Sequence, residues 1–115
     1  MEHGQEATRA WVLHPDLKSE HSARAPARAL EEAVSLAAAL PHLEVVGADV
    51  VRIAKPHPGH LFGTGKMDEL KAVFAAEEVD LVLVDGPVTP VQQRNLEKAW
   101  GVKLLDRTGL ILEIF

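Results

Sequence analysis

Cysteine is absent from all 115 residues. No disulfide, thiolate metal site or cysteine nucleophile can therefore form, and the composition suits a reducing cytoplasm. Aromatic side chains make up only 4%, so the core has to be built from Val, Leu, Ile and Ala. No apolar run approaches the ~18 residues that a membrane-spanning helix needs. The opening Met1-Glu2-His3-Gly4-Gln5-Glu6 lacks the basic and apolar stretches of a secretory signal. Positive charge is also short: 12 Lys and Arg stand against 17 Asp and Glu, a formal net charge of −5. Bulk electrostatics thus argue against free nucleic acid as a partner. The imbalance is concentrated in residues 1–50, with eight acids and four bases, whereas 51–115 hold nine acids and eight bases. Any contact with a polyanion belongs in the second half.

What is present is ordinary for a globular domain: 47% hydrophobic and 25% charged residues, in a length that fits one domain. Strand and helix signals alternate. Thr8–Leu13 reads as a first strand and Asp16–Ala25 as a polar loop. Pro26 suits the first turn of a helix, which places Leu30, Val34 and Ala37 on one face and stops at Pro41. Leu43–Ala54 reads as one long strand or as two bent at Gly47. After a Pro/Gly/His loop over Lys55–Phe62, a helix opens near Gly65 with Met67, Leu70 and Phe74 at helical spacing. Asp80–Val84 is a short apolar run of the kind buried on both faces of a sheet. Thr89, Pro90 and Gln92 together mark a helix start: a cap, a first-position proline and a capping box. Leu96 and Trp100 face inward, Gly101 ends that helix, and Val102–Leu105 is the last strand. Strands alternating with helices imply right-handed crossovers and an α/β fold. The expected architecture is a mainly parallel four-stranded sheet, order 2-1-3-4, with helices on both faces.

The ending is unusual. Gly109–Phe115 is almost wholly apolar, whereas termini are ordinarily polar and frayed. Either it is a terminal helix folded back on the sheet, or it continues into a longer helix. The second reading makes residues 1–107 an accessory α/β domain of a larger protein and residues 108–115 the start of a linker.

Several segments are candidates for chemistry, each with a plainer alternative. Gly63-Thr64-Gly65-Lys66 is a glycine-rich helix entry where free N–H groups and a lysine attract anions. Yet His60 stands where a Walker loop needs its first glycine, Met67 follows the lysine, and Asp68 breaks the dinucleotide fingerprint. A structural turn is the alternative. His57 and His60 lie three apart in a loop stiffened by Pro56 and Pro58. Zinc would need two further ligands, so no metal site is assigned, and a surface recognition loop fits better. Asp85 and Asp106 follow strands, on the side where parallel sheets bind ligands; as an acid/base or Mg²⁺ pair they lack a nucleophile or companion base, and turn-making is the simpler role. No catalytic residue is assigned. Arg94, Lys98, Lys103 and Arg107 gather around the last helix and strand, as a solvated face or as contacts to RNA phosphate.

Taken in order, these segments resemble one family. Lys55-Pro56-His57-Pro58 followed by Phe62-Gly63-Thr64-Gly65-Lys66 is similar to the KPHP…(Y/F)xGxGK stretch of HflX-type GTP-binding proteins. Asp85 and then Thr89-Pro90-Val91-Gln92-Gln93-Arg94-Asn95-Leu96-Glu97 resemble its D…(S/T)PxQxRNLE segment. Asp106–Phe115 is similar to its DRTxLILDIF segment. The likeness covers Leu43–Phe115 well and the first 40 residues loosely.

The resemblance implies an α/β N-terminal domain, a helical linker, and a Ras-like G domain that hydrolyses GTP with Mg²⁺. It also implies association with the large ribosomal subunit in splitting or rescuing stalled ribosomes, with the N-terminal domain and linker touching ribosomal RNA. On that basis Lys55, His57, His60, Gly63, Gly65, Lys66, Arg94, Asn95 and Arg107 are the expected RNA- or phosphate-contacting residues. The G-domain motifs are not in this chain: it has neither GxxxxGK[ST] nor NKxD, and Asp106–Gly109 fits DxxG only by letter. These 115 residues are therefore expected to bind no GTP-hydrolysis cofactor and not to hydrolyse GTP alone. Two alternatives stay open: an ATP- or GTP-binding module acting through Gly63–Lys66, and a scaffold that regulates the neighbouring G domain.

Overall fold

The computed structural model describes residues 8–17, 26–53, 55, 57–86 and 88–106. The elements are β1 (Thr8–Leu17), α1 (Pro26–Ala38), β2 (Leu43–Ile53), α2 (Thr64–Ala76), β3 (Leu81–Val84), α3 (Pro90–Trp100) and β4 (Lys103–Asp106). The four strands form one sheet, parallel as the alternation of strand and helix signals predicts, in the expected order β2-β1-β3-β4. Expectations for Arg107 and for the 108–115 linker fall outside the described residues.

The pleat sorts the strands' side chains to two faces. Ala10 and Val12 of β1 and Leu81 and Leu83 of β3 join Ala33 and Ala37 of α1 in one buried cluster. Small alanines at these positions let the helix approach the sheet closely. The opposite face carries Leu13, Val51, Ile53, Val82, Val84 and Leu104 against Leu70 and Phe74 of α2 and Leu96 and Trp100 of α3. Nearly all the scarce aromatic area is spent here. Phe74 meets Trp11 at 5.9 Å and Trp100 at 5.0 Å, both edge-on, and Phe62 lies 5.8 Å from Trp100. Edge-on rings add to the area they bury.

One strand boundary differs from the sequence reading. β1 runs through Leu17 rather than stopping at Leu13, because β2 is long enough to pair with it to the end: Leu17 is opposite Ile53 and the Asp16 carboxylate lies 3.8 Å from Arg52 Nε. Proline is tolerated inside β1 for a geometric reason. Arg9 and Leu13 present their backbone carbonyls toward the β3 side, so Pro15, of the same parity, has its missing N–H on that side too. β3 has ended at Val84, opposite Leu13, and no ladder bond is lost. At Gly47 the structure decides between the two expectations in favour of one long strand. β2 is a single strand, with a bulge instead of a break: Ala10 pairs with Val45 and Trp11 with Gly47, leaving Val46 extra.

Helix α3 is built as its sequence predicts. The Thr89 hydroxyl accepts from the Gln92 N–H at 3.0 Å, and Gln92 Oε1 accepts from the Thr89 N–H at 3.0 Å. Gly101 closes the helix at φ 67°, a conformation that suits a residue without Cβ. The outer edge of β4 is also tied to this helix. Leu104 donates its N–H to Glu97 Oε2 at 3.0 Å, and its carbonyl accepts from Gln93 Nε2 at 3.0 Å.

Candidate functional site

Loop 55–62 leaves the carboxyl end of β2, and α3 begins beyond the carboxyl end of β3, so both stand on the usual ligand side of a parallel sheet. The loop closes on itself. His57 and Leu61 exchange backbone hydrogen bonds, 3.1 Å from the His57 N–H and 2.8 Å from the Leu61 N–H. Leu61 has φ 62°, an uncommon conformation for a bulky residue. Its side chain is nonetheless buried, and the next residue, Phe62, is fully buried in the core. Burial at this end is what holds the strained turn in place.

Within the loop the two imidazoles stack, centroids 3.7 Å apart and planes 6° from parallel. The Gly59 N–H donates to His57 Nδ1 at 2.9 Å, so that nitrogen carries the lone pair and Nε2 carries the proton of the neutral ring. His60 Nδ1 lies 2.8 Å from the Phe62 carbonyl. A carbonyl only accepts, so His60 Nδ1 carries a proton.

Helix α3 clamps the loop from outside. Gln92 Nε2 donates to the His57 carbonyl at 2.9 Å and Asn95 Nδ2 to the Gly59 carbonyl at 2.7 Å. Gln92 thus serves two ends at once, its carbonyl completing the capping box while its amide fixes the loop. At the far end of α3, Trp100 Nε1 donates to the Met67 carbonyl in the first turn of α2 at 3.1 Å. Loop, α2 entry and α3 therefore form one connected surface.

The expected contact residues separate on this surface. Lys55, His57, Gly63, Gly65, Arg94 and Asn95 are exposed, and His60 and Lys66 are half-buried. Lys66 Nζ is held 2.9 Å from Glu69 Oε2, which offsets part of its charge. Gly63 precedes α2 without a side-chain cap, and a Cβ at Gly63 or Gly65 would meet nothing within 4 Å. Neither glycine is required by its φ or by crowding. Asn95 acts here on the loop backbone. Arg94 and Lys98, one helical turn apart, point away from the sheet beside Val91, which is 49% exposed. Arg107 falls outside the described residues.

Asp85 is more than a turn-maker. Its Oδ2 lies 3.0 Å from His14 Nδ1, with the carboxylate side chain 5% exposed and the imidazole 19%. This pair sits on the α1 side of the carboxyl end, between β1 and β3. His14 carries no local motif, and only the parallel register of β1 and β3 brings it to Asp85. The clamp role of Gln92 and Asn95 was more accessible: two amides at i and i+3 face a loop whose prolines remove donors while leaving carbonyls in need of them.

The family profile described as the GTP-binding GTPase N-terminal domain matches residues 27–115. The chain belongs to this family, the N-terminal domain of HflX-type GTPases. It is 43% identical over 88 residues to the GTPase HflX of Magnetococcus marinus, covering 76% of this chain and 20% of that protein. The Escherichia coli K12 GTPase HflX is 43% identical over 60 residues, 52% of this chain and 14% of that protein. A chloroplastic GTP-binding protein of Arabidopsis thaliana is 46% identical over 80 residues, 66% of this chain and 13% of that protein. The chain thus spans about one fifth or less of these relatives' length. The crystal structure of a GTP-binding protein from Sulfolobus solfataricus in complex with GDP superposes with a TM-score of 0.64 at 19% identity, over 93% of this chain and 30% of that one. That likeness shows a shared fold. Among the described residues no helix is long and apolar enough to cross a membrane.

Proposed function

We propose that this chain serves as the ribosome-facing N-terminal domain of a cytoplasmic HflX-type GTPase. In this reading it contacts large-subunit ribosomal RNA while a G domain outside these residues hydrolyses GTP with Mg²⁺. Residues 1–107 form the domain and residues 108–115 begin a helical linker to that G domain. The carrying observation is the fastening of loop 55–62 to α3 through Gln92 and Asn95. It fastens the loop that carries Lys55, His57 and His60 to the helix that carries the exposed Arg94, on a chain whose overall charge is negative. Phosphate contacts from such residues position an RNA without reading its sequence.

The test is binding of the full chain to purified large ribosomal subunits across a salt series. Lys55→Glu and Arg94→Glu should each weaken binding about tenfold at low salt and flatten the salt dependence, because each removes a phosphate contact. Lys71→Glu, on the exposed side of α2, should leave it unchanged. Equal binding by all three variants would refute the assigned surface. The same surface, once docked, is expected to influence the G domain; deleting residues 1–107 from the whole protein should then change its GTPase rate.

A second reading, nucleotide binding at Gly63–Lys66, is favoured by the open space over both glycines and the uncapped entry of α2. The Lys66–Glu69 pair works against it. Calorimetric titration of the chain with ATP and GTP decides: saturable heat lost in Gly65→Asp supports it, and a flat trace at millimolar nucleotide removes it.

A further inference from the structure

We propose that the outer face of the His57 imidazole is a stacking platform for an unpaired nucleobase, with His60 as its backing. The inference deepens the RNA-contact reading and rests on it. His57 is exposed although His60 covers one of its faces at a centroid separation of 3.7 Å and a tilt of 6°. The exposed area of the residue therefore lies away from the face that His60 covers. Two parallel rings at that spacing already form a stack two members deep, to which a third flat ring adds without rearrangement.

Both rings are immobilised before anything binds. The His57 ring is held in its plane by the Gly59 N–H on Nδ1, and the His60 ring by its own Nδ1–H on the carbonyl of the fully buried Phe62. Behind them, Gln92 and Asn95 hold the His57 and Gly59 carbonyls. A free surface histidine would lose rotamer freedom on stacking, whereas this one has little left to lose. The remaining edge matters as well. With Nδ1 engaged as an acceptor, the neutral ring carries its proton on Nε2, which is left as a donor. Lys55, two residues earlier, and Arg94, one position before the clamping Asn95, are exposed and supply charge for the phosphates that flank a base.

A base inside a duplex has both faces covered by its neighbours, so this platform selects unpaired nucleotides. A structural role for the stacked pair, merely filling the loop, makes no such selection.

The experiment uses the full chain and a short single-stranded RNA carrying 2-aminopurine, with the same RNA annealed to its complement as comparison. Binding of the single strand should quench the 2-aminopurine fluorescence, and the duplex should bind more weakly. His57→Ala should bind about tenfold more weakly and abolish the quenching. His57→Trp, which restores a flat face, should recover both, whereas His57→Lys, which keeps only a charge, should behave as His57→Ala. Equal binding by the wild-type chain, His57→Ala and His57→Trp would overturn the platform, as would equal affinity for single strand and duplex. If the single strand is not bound but large ribosomal subunits are, the platform fails and the RNA-contact reading survives. If neither is bound, both fail.

Discussion

The indole of Trp11 on β1 occupies the space where a side chain of Gly47 on β2 would stand; a Cβ added to Gly47 would collide with three of its ring carbons. The bulge that makes Val46 extra brings these two residues opposite one another. Close approach, not an unusual φ, is what requires glycine here. Gly47→Ala should therefore destabilise the chain by about 1–3 kcal/mol through overpacking, measured by urea unfolding. In a Trp11→Leu background the same substitution should cost less than 0.5 kcal/mol or so, and the difference reports their coupling.

The ends of α3 carry separable contributions. Thr89→Ala removes the hydroxyl that accepts from Gln92 and should cost about 1 kcal/mol. Gly101→Ala forces a side chain into the left-handed region and should cost about 1 kcal/mol as well. The sites lie at opposite ends of the helix, so the double variant should lose the sum. Thermal denaturation checks this.

The loop clamp should be visible by hydrogen exchange. Gln92→Ala and Asn95→Ala each strip a donor from a loop carbonyl, and the Leu61 amide, bonded to the His57 carbonyl, should exchange roughly tenfold faster in either, as about 1.4 kcal/mol of local protection is lost. Amides of β1 and β3 should keep their protection. Leu61→Gly should relieve the positive φ but forfeit a buried side chain, with a net loss of about 1–2 kcal/mol.

Asp85 and His14 should behave as a coupled pair. Asp85→Asn keeps the shape but replaces a carboxylate acceptor 95% buried beside an imidazole, and should cost about 1–3 kcal/mol. His14→Ala should cost a similar amount. The double variant should lose clearly less than the sum, because each single change leaves the partner without this contact. Urea unfolding of the four proteins checks it.

Much of this was legible in the sequence because local signals and the global fold agree. Thr89, Pro90, Gln92 and Gly101 each do what their residue type dictates, and the alternating strand and helix signals lead to a parallel sheet, although they do not by themselves fix its strand order. The polarity of Asp16–Ala25 suggests that β1 ends at Leu13; the length of β2 and the side to which Pro15 presents its nitrogen carry the strand on to Leu17. Gly47 was recognisable as a special position, but only the bulge and Trp11 show why. His14 and Asp85 are 71 positions apart, and no spacing rule connects residues joined solely through strand register. The motif KPHPGH marked the loop, yet its stacking depends on rotamers and on α3, neither of which a pattern contains.

The bonds from Gln93 and Glu97 to Leu104 have a consequence beyond holding the helix in place. An exposed parallel edge is an invitation to a passing strand. β4 is four residues long, and its outward-facing N–H and carbonyl at Leu104 are already occupied by side chains of its own helix. A foreign strand would have to displace both to pair there.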